Sequence, residues 1–454
     1  MDADATNRAE LKKIRVLLLT NRDSDNVGDQ IIEATVISLL RTVARNLSIA
    51  DESFEISSRA AGIISKKYLR TGDESLLDPA RKAISQADLL IFGGAPLFNY
   101  KYQSFYRRTI RTVELAQEYG VPTLFSSIGV EPYSDVDPRS QKLKSALNLP
   151  VVRQITTRDD LESVQRYVAG TQIATGLVAD PAVFADKVFE NLGKPPVAKT
   201  KVAKPIVGLV VTRGGIFADN GIDFTEGDQR EFWLGAIRLL EDRGYNYRLF
   251  TTGQFTDEIF LDSLVRHHGV PAKNVTFTVN SPDELIQELR KCDSVIAYRL
   301  HASITAFALG IPSVGLSWNF KVPEFYREIG YPERAIDSTN WNPLHVVTAM
   351  ETALKSEVKK EEGYLYTVYK ALYDGVKEAI ALDDSSTAYS LEEVFDVLPR
   401  SVKTSQREYR AKVQRKLRRS YEFYANRSKA ETKGASKRVS LLRGVLRRIK
   451  QTLR

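Results

Sequence analysis

Short apolar runs alternate along this chain with longer stretches in which apolar residues recur every three or four positions. Residues 14–20, 88–92, 122–128 and 154–157 have the continuous apolar character of buried strands, and residues 31–43 and 105–119 between them show helical spacing. A second set follows, with strand-like runs at 206–212, 247–251, 275–279, 294–298 and 313–316 and helical stretches at 232–241, 260–268, 283–290 and 302–309. Strand and helix in strict alternation predict an α/β fold with two doubly wound, Rossmann-like parallel-sheet domains. Residues 191–205, rich in Pro and Lys and without periodicity, read as the connection between them. The expected domains are thus 1–190 and 206–400, with a basic tail at 401–454 and no repeat of solenoid or propeller period. In such sheets ligands bind beyond the carboxyl ends of the strands, so two facing edges predict a site in the cleft between domains.

Composition narrows the class. The 454 residues are 43% hydrophobic and 27% charged, which excludes wholesale disorder. One cysteine, Cys292, excludes an internal disulfide or a cysteine metal cluster and favours a reducing, cytoplasmic location. Four scattered histidines do not suggest a dedicated zinc site. No apolar run has the length of a signal peptide or membrane span, so any membrane contact is expected to be peripheral. The formal net charge of +8 is uneven: residues 401–454 carry +15 and residues 1–400 carry −7. The basic character therefore belongs to the tail, and a nucleic-acid groove in the folded body is not expected.

The loops after the strands carry the candidate chemistry. Residues 21–29 lead into the first helix, with Asn26 or Asp25 as its cap and a single glycine, Gly28, before Asp29. Such a helix start can receive an anion or a sugar hydroxyl, although a polar capped loop accounts for the same residues. One glycine is not the dinucleotide fingerprint, so a nicotinamide cofactor is disfavoured. Gly93 and Gly94 either let a ligand approach the backbone or simply make a tight turn, and Ser127 offers a hydroxyl. Arg158 and Asp159 read first as a structural ion pair and a cap. In the second domain Arg213 follows the first strand, and Arg299, Leu300 and His301 pass directly from a strand into a helix. A guanidinium, an imidazole and a helix start together suit a small polyanion beside a titratable group. Lys321 supplies a third cation or is a solvated helix-start lysine.

The ordered set DNVGD (25–29), FGGAPLF (92–98), TTRDDLES (156–163), Ala-Asp-Pro (179–181), YRLHA (298–302) and GIPSVGLSWNFK (310–321) resembles the polysaccharide pyruvyl transferase family over about residues 14–330. The resemblance implies two Rossmann-like domains in a GT-B-like arrangement and transfer of pyruvate from phosphoenolpyruvate to a sugar as a ketal, without a cofactor. It assigns donor binding to Arg213, Arg299, Leu300 and His301, with Lys321 as a further cation. His301 is then the candidate general acid and base, and Asp29 a second proton acceptor. Acceptor hydroxyls are expected near Asn26, Gly28, Asp29, Gly93, Gly94 and Ser127.

The tail exceeds what that family core requires. Val439, Leu442, Leu446, Ile449 and Leu453 recur at helical spacing among arginines and lysines, which reads as an anchor to an anionic membrane surface, with a solvated tail or a coiled-coil contact as alternatives. A lipid-linked sugar on the inner face of the plasma membrane would then be a natural acceptor. Two other functions fit parts of the sequence: a nucleotide-sugar glycosyltransferase of the same architecture, and a non-catalytic membrane or nucleic-acid scaffold driven by the tail.

Overall fold

Runs that are apolar at nearly every position cannot present one face to water, so they become interior strands covered on both sides. The computed structural model describes residues 13–101, 105–191, 204–381, 385–401 and 404–426. The first sheet holds β1 (Ile14–Thr20), β2 (Phe54–Ala60), β3 (Leu89–Gly93), β4 (Thr123–Ile128), β5 (Val152–Thr157) and β6 (Ala174–Leu177). The second holds β7 (Ile206–Val210), β8 (Asn246–Phe250), β9 (Ser294–Ala297), β10 (Ser313–Ser317) and β11 (Ala335–Asp337). Their spatial orders are β2-β1-β3-β4-β5-β6 and β11-β10-β9-β7-β8, with every neighbouring pair parallel. The winding reverses between β1 and β3 in one sheet and between β7 and β9 in the other, which opens a crevice at each carboxyl edge. The expected pair of Rossmann-like parallel sheets is therefore present.

Three strands lacked the apolar signature. β2 exposes Glu55, Ser57 and Arg59, and β6 and β11 are four and three residues long. All three are edge strands, whose one-sided pairing does not demand an apolar run. Conversely, residues 275–279 do not form the expected strand and contribute only a bridge between Val275 and Leu249. The last amide of the run is used elsewhere, Val279 N–H donating to Glu258, as is the next, Asn280 N–H donating to Glu284.

The helices that matter for the site are α1 (Val27–Asn46), α2 (Glu226–Asp242), α3 (Phe255–His268), α4 (Leu300–Ala308), α5 (Lys321–Glu328), α6 (Glu362–Ala379) and α7 (Leu391–Val397). α2 opens with a capping box, Thr225 and Asp228, and buries Phe232, Trp233, Ala236 and Leu240 at three- and four-residue spacing against the second sheet. One apolar cluster joins the two halves, including Val27 and Ile31 of α1, Phe184, Phe250, Val279 and Ala302.

The closing segment assigned by sequence to the second domain packs instead on the first. Leu365, Val368, Tyr369, Leu372 and Val376 of α6 join the cluster that contains α1, and the Tyr369 hydroxyl donates to Asn46 Oδ1 at 2.5 Å. Ala179 N–H donates to Thr367 Oγ1 at 2.9 Å. Gly375 lets α6 lie directly on β5, because a Cβ there would stand 2.4 Å from Gln154 Oε1. The chain divides into two compact units, Met1–Lys403 and Thr404–Arg454. The described part of the second is a helix over residues 406–426; the amphipathic repeat at 439–453 and most of the 191–205 connection lie outside the described residues.

Candidate active site

At the second sheet's crevice, β9 ends and Arg299 becomes the N-cap of α4 with extended backbone and no side-chain cap. Its guanidinium is set by Asp257 in the first turn of α3: Nε and Nη2 donate to the two carboxylate oxygens at 2.7 Å each. Asp257 is fully buried and also accepts the Arg213 N–H at 2.9 Å. Two guanidinium nitrogens are thereby fixed, and Nη1 makes no hydrogen bond among the described residues. Leu300 anchors the first turn of α4 in the apolar cluster, which points His301 across the cleft. Arg213 is placed differently from its loop neighbours. Its side chain is 37% exposed and pairs with Asp219 at 2.8 Å, on the outside of the same loop.

The first sheet's crevice is built around the start of α1. Asn26 is the cap, its Oδ1 accepting from Gly28 N–H at 3.3 Å. Val27 N–H is given across the cleft to the Thr252 carbonyl at 2.7 Å. Gly253, at φ +92°, brings that loop so close that a Cβ would stand 2.8 Å from the Asp25 carbonyl oxygen. Gly28 is needed for the same closeness, since a Cβ on it would lie 2.2 Å from the His301 Cβ. Asn26 Nδ2 then lies 2.8 Å from His301 Nδ1.

Beside this contact, Asp29 is buried in the first turn of α1 and receives a hydrogen bond from Asn21 Nδ2 at 3.0 Å. Burial pushes its carboxyl up to about 6, against the opposing influence of Ser24, Arg158 and Asn21. Arg158, beyond β5, is buried and paired with buried Asp180, while its Nε has no hydrogen-bond partner. Lys321, the first residue of α5, reaches over from the second domain. Its ammonium is 3.9 Å from Asp159 and near enough to Gly129 that a Cβ there would stand 2.9 Å away. Burial, more than any charge, lowers the lysine. The His301 ring is held well below its ordinary value, first by burial and then by Arg158, Lys321 and Arg299. One imidazole is thus surrounded by three cations, each tethered to an acid of its own: Arg158 to Asp180, Arg299 to Asp257, and Lys321 to Asp159.

The cleft brings together Asn26, Gly28, Asp29, Arg299, Leu300, His301 and Lys321. Of the other four candidates, Arg213 faces outward on Asp219 and the remaining three serve the frame. Gly93 packs over Leu18, Thr20 and Val36, and Gly94, at φ +62°, passes so close to Ile32 that a Cβ would be 2.3 Å away. Ser127 adopts φ +51° and donates its hydroxyl to the Ala179 carbonyl at 2.8 Å. Asp257 and Asp180 were not singled out for roles in the sequence. A signal existed for each, an acid in a helix's first turn and an acid directly before a proline, but only the fold shows which cation each one meets. Among the described residues no group of His, Cys, Asp and Glu side chains has a metal-binding arrangement, and no helix is long and apolar enough to cross a membrane.

No curated protein matches the chain. Among solved structures, the UDP-GlcNAc 2-epimerase of Methanocaldococcus jannaschii, in complex with UDP-GlcNAc and UDP, is similar at 12% identity over 82% of this chain and 100% of that one, with a TM-score of 0.48. The E. coli heptosyltransferase WaaC is similar at 11% identity over 75% and 99% of the two chains, with a TM-score of 0.36. The family model for polysaccharide pyruvyl transferase matches residues 26–319, a span that begins at the Asn26 cap, contains Arg158, Asp180, Asp257, Arg299 and His301, and stops just short of Lys321. The chain belongs to the polysaccharide pyruvyl transferase family.

Proposed function

We propose that this protein transfers the pyruvyl group of phosphoenolpyruvate to two hydroxyls of a sugar, forming a cyclic ketal and releasing phosphate. The observation that supports this reading is the convergence of Arg158, Arg299 and Lys321 around His301. Phosphoenolpyruvate carries a carboxylate and a phosphate within a few bonds, so it needs several fixed donors in one small space. Arg299 Nη1, Arg158 Nε and the Lys321 ammonium are the groups available for it.

In the reaction, a proton added to the methylene carbon leaves a cationic centre at C2, and one sugar hydroxyl attacks there. The C2–O bond to phosphate then breaks, and the second hydroxyl closes the ring. One hydroxyl proton ends on the new methyl group and the other on the phosphate, so protons and charge balance. Asp29 is the side chain assigned to the proton transfers, with His301 as a hydrogen-bonding group beside the reacting atoms. No redox or metal cofactor enters the scheme.

The cations are not in excess. Arg158, Arg299 and Lys321 face Asp180, Asp257 and Asp159, and Glu131 near Lys321 and Asp29 when ionised add further negative charge. Binding a trianion should therefore be accompanied by proton uptake, with Asp29 as its site. Calorimetric titration of phosphoenolpyruvate into the full chain, in buffers of different ionisation enthalpy, measures affinity and proton uptake together. Saturable binding that is lost in Arg299→Ala is the expected result. Binding of a uridine nucleotide sugar with no response to phosphoenolpyruvate would overturn the reading in favour of glycosyl transfer.

The acceptor is proposed to be a membrane-associated glycan, reached from the cytoplasmic side through the basic tail. In support, the helix over residues 406–426 exposes Leu417, Tyr421 and Tyr424 at helical spacing beside Arg415, Arg418 and Arg419. Sedimentation with phosphatidylglycerol vesicles, compared with phosphatidylcholine vesicles and with a chain lacking residues 401–454, tests it. Equal behaviour of the full and shortened chains would refute the contact.

A further inference from the structure

The hydrogen bond between the two domains restricts what His301 can do. Asn26 Oδ1 accepts the Gly28 N–H, which fixes the orientation of the amide and turns its NH2 group toward the ring. Nδ2 is a donor only, so His301 Nδ1, 2.8 Å away, must be the acceptor and carry no proton. A neutral imidazole without a proton on Nδ1 carries it on Nε2. Gly28 and the Val27 to Thr252 hydrogen bond keep the two helix starts together, so the contact is built into the interface.

We infer that Asn26 is a positioning residue that holds His301 as the Nε2–H tautomer, so that the ring serves the substrate as a fixed, neutral hydrogen-bond donor and not as the base that accepts a hydroxyl proton. The inference deepens the proposed pyruvyl transfer and, for its catalytic part, rests on it. With Nδ1 occupied and Nε2 already protonated, the ring has no free lone pair to receive a proton. A second protonation would set an N–H against the Asn26 NH2 group and a positive ring against Arg299, Arg158 and Lys321. Arg158, Lys321 and Arg299 are the charges felt at the ring, Asp29 lies in the first turn of α1 beyond Asn26, and the 251–254 loop packed on the start of α1 carries no charged residue. The Nε2–H can meet the phosphate or the oxygen developing charge at C2, while the proton transfers fall to Asp29. A neutral histidine acting as electrophile beside a carboxylate base is a known division of labour in enzymes.

The test uses the full chain labelled with 15N-histidine, together with Asn26→Asp and Asn26→Ser. Both replacements can still cap α1, so a merely structural role predicts no change at the ring. The chain has four histidines, and His301→Gln identifies the relevant signals by their loss. The wild-type ring is expected to show the Nε2–H pattern at pH 8. Asn26→Asp, whose carboxylate accepts instead of donating, is expected to switch it to Nδ1–H and to raise its titration. Turnover should fall roughly tenfold or more at pH 8, through loss of the Nε2–H donor, and recover in part at pH 6, where the doubly protonated ring presents that donor again. An unchanged tautomer in Asn26→Asp would overturn the inference. So would a rise in turnover at pH 8, which is what a general-base His301 predicts when its Nε2 is freed. If Asn26→Asp does not fold, loss of the tautomer preference in Asn26→Ser carries the same test. The spectra need no substrate, so a wrong donor assignment would appear in the calorimetry and leave the tautomer result standing.

Discussion

The two crevices share a strand order but divide the work. At the first, α1 starts with a capping asparagine, and its Val27 N–H is spent on the opposite domain. At the second, α4 starts with an arginine, has no side-chain cap and has its charge fixed from below by Asp257. One helix start has been used to lock an interface and the other to present a guanidinium. The comparison teaches that topology places a site but the cap residue decides its chemistry, because Asn closes the free N–H groups that Arg leaves to solvent or ligand.

That contrast can be broken most severely at the buried ion pairs. Arg158→Ala leaves Asp180 charged and buried, and should cost about 3–5 kcal/mol in denaturant unfolding. The matched exposed pair offers the control, since Asp219→Ala beside half-exposed Arg213 should cost less than about 1 kcal/mol.

The next effect is electrostatic and depends on pH. Asp29 titrates higher in the native state, at about 6, than in the unfolded chain, at about 4. Native structure thus binds the proton more tightly, and the associated stability is complete below pH 4 and lost as pH rises through 6. Asp29→Asn should accordingly gain on the wild type by about 3 kcal/mol between pH 4 and pH 7, measured by unfolding at each pH. His301 works in the opposite sense: its depressed native value gives stability that is present above its unfolded value of about 6.5 and lost on acidification. His301→Gln should flatten that acid limb.

Smaller again is the steric contribution. Gly28→Ala should cost about 1–3 kcal/mol, because its methyl group needs the space of the His301 Cβ and the two helix starts must part. It should also abolish the 2.8 Å contact to Asn26, which the histidine spectra would reveal. A silent Gly28→Ala would mean that the edges slide freely and that closure does not depend on this glycine.

Much of the framework was legible in the chain. The interior strands announce themselves, as in β1, where residues Val16 to Leu19 are apolar and buried, and the Arg-Leu-His sequence announces a strand-to-helix junction that opens on the cleft. The edge strands β2, β6 and β11 were not legible, because pairing on one side leaves them free to be polar or short. Nor was the seat of α6, whose apolar face fits either sheet in principle; only the contacts to Asn46, Gln154 and Ala179 select the first.

The sequence by itself determined two parallel-sheet domains, the cleft between them and the residue types that line it, because periodicity and strand-end position are local properties of the chain. Tertiary structure alone decided the pairings. Asn26 and His301 are separated by 275 positions, and Asp257 reaches Arg299 across 42. Whether a histidine donates or accepts, and whether an arginine is free or tethered, depends on which partner the fold brings within about 3 Å, and that distance is set by the packing of the whole interface.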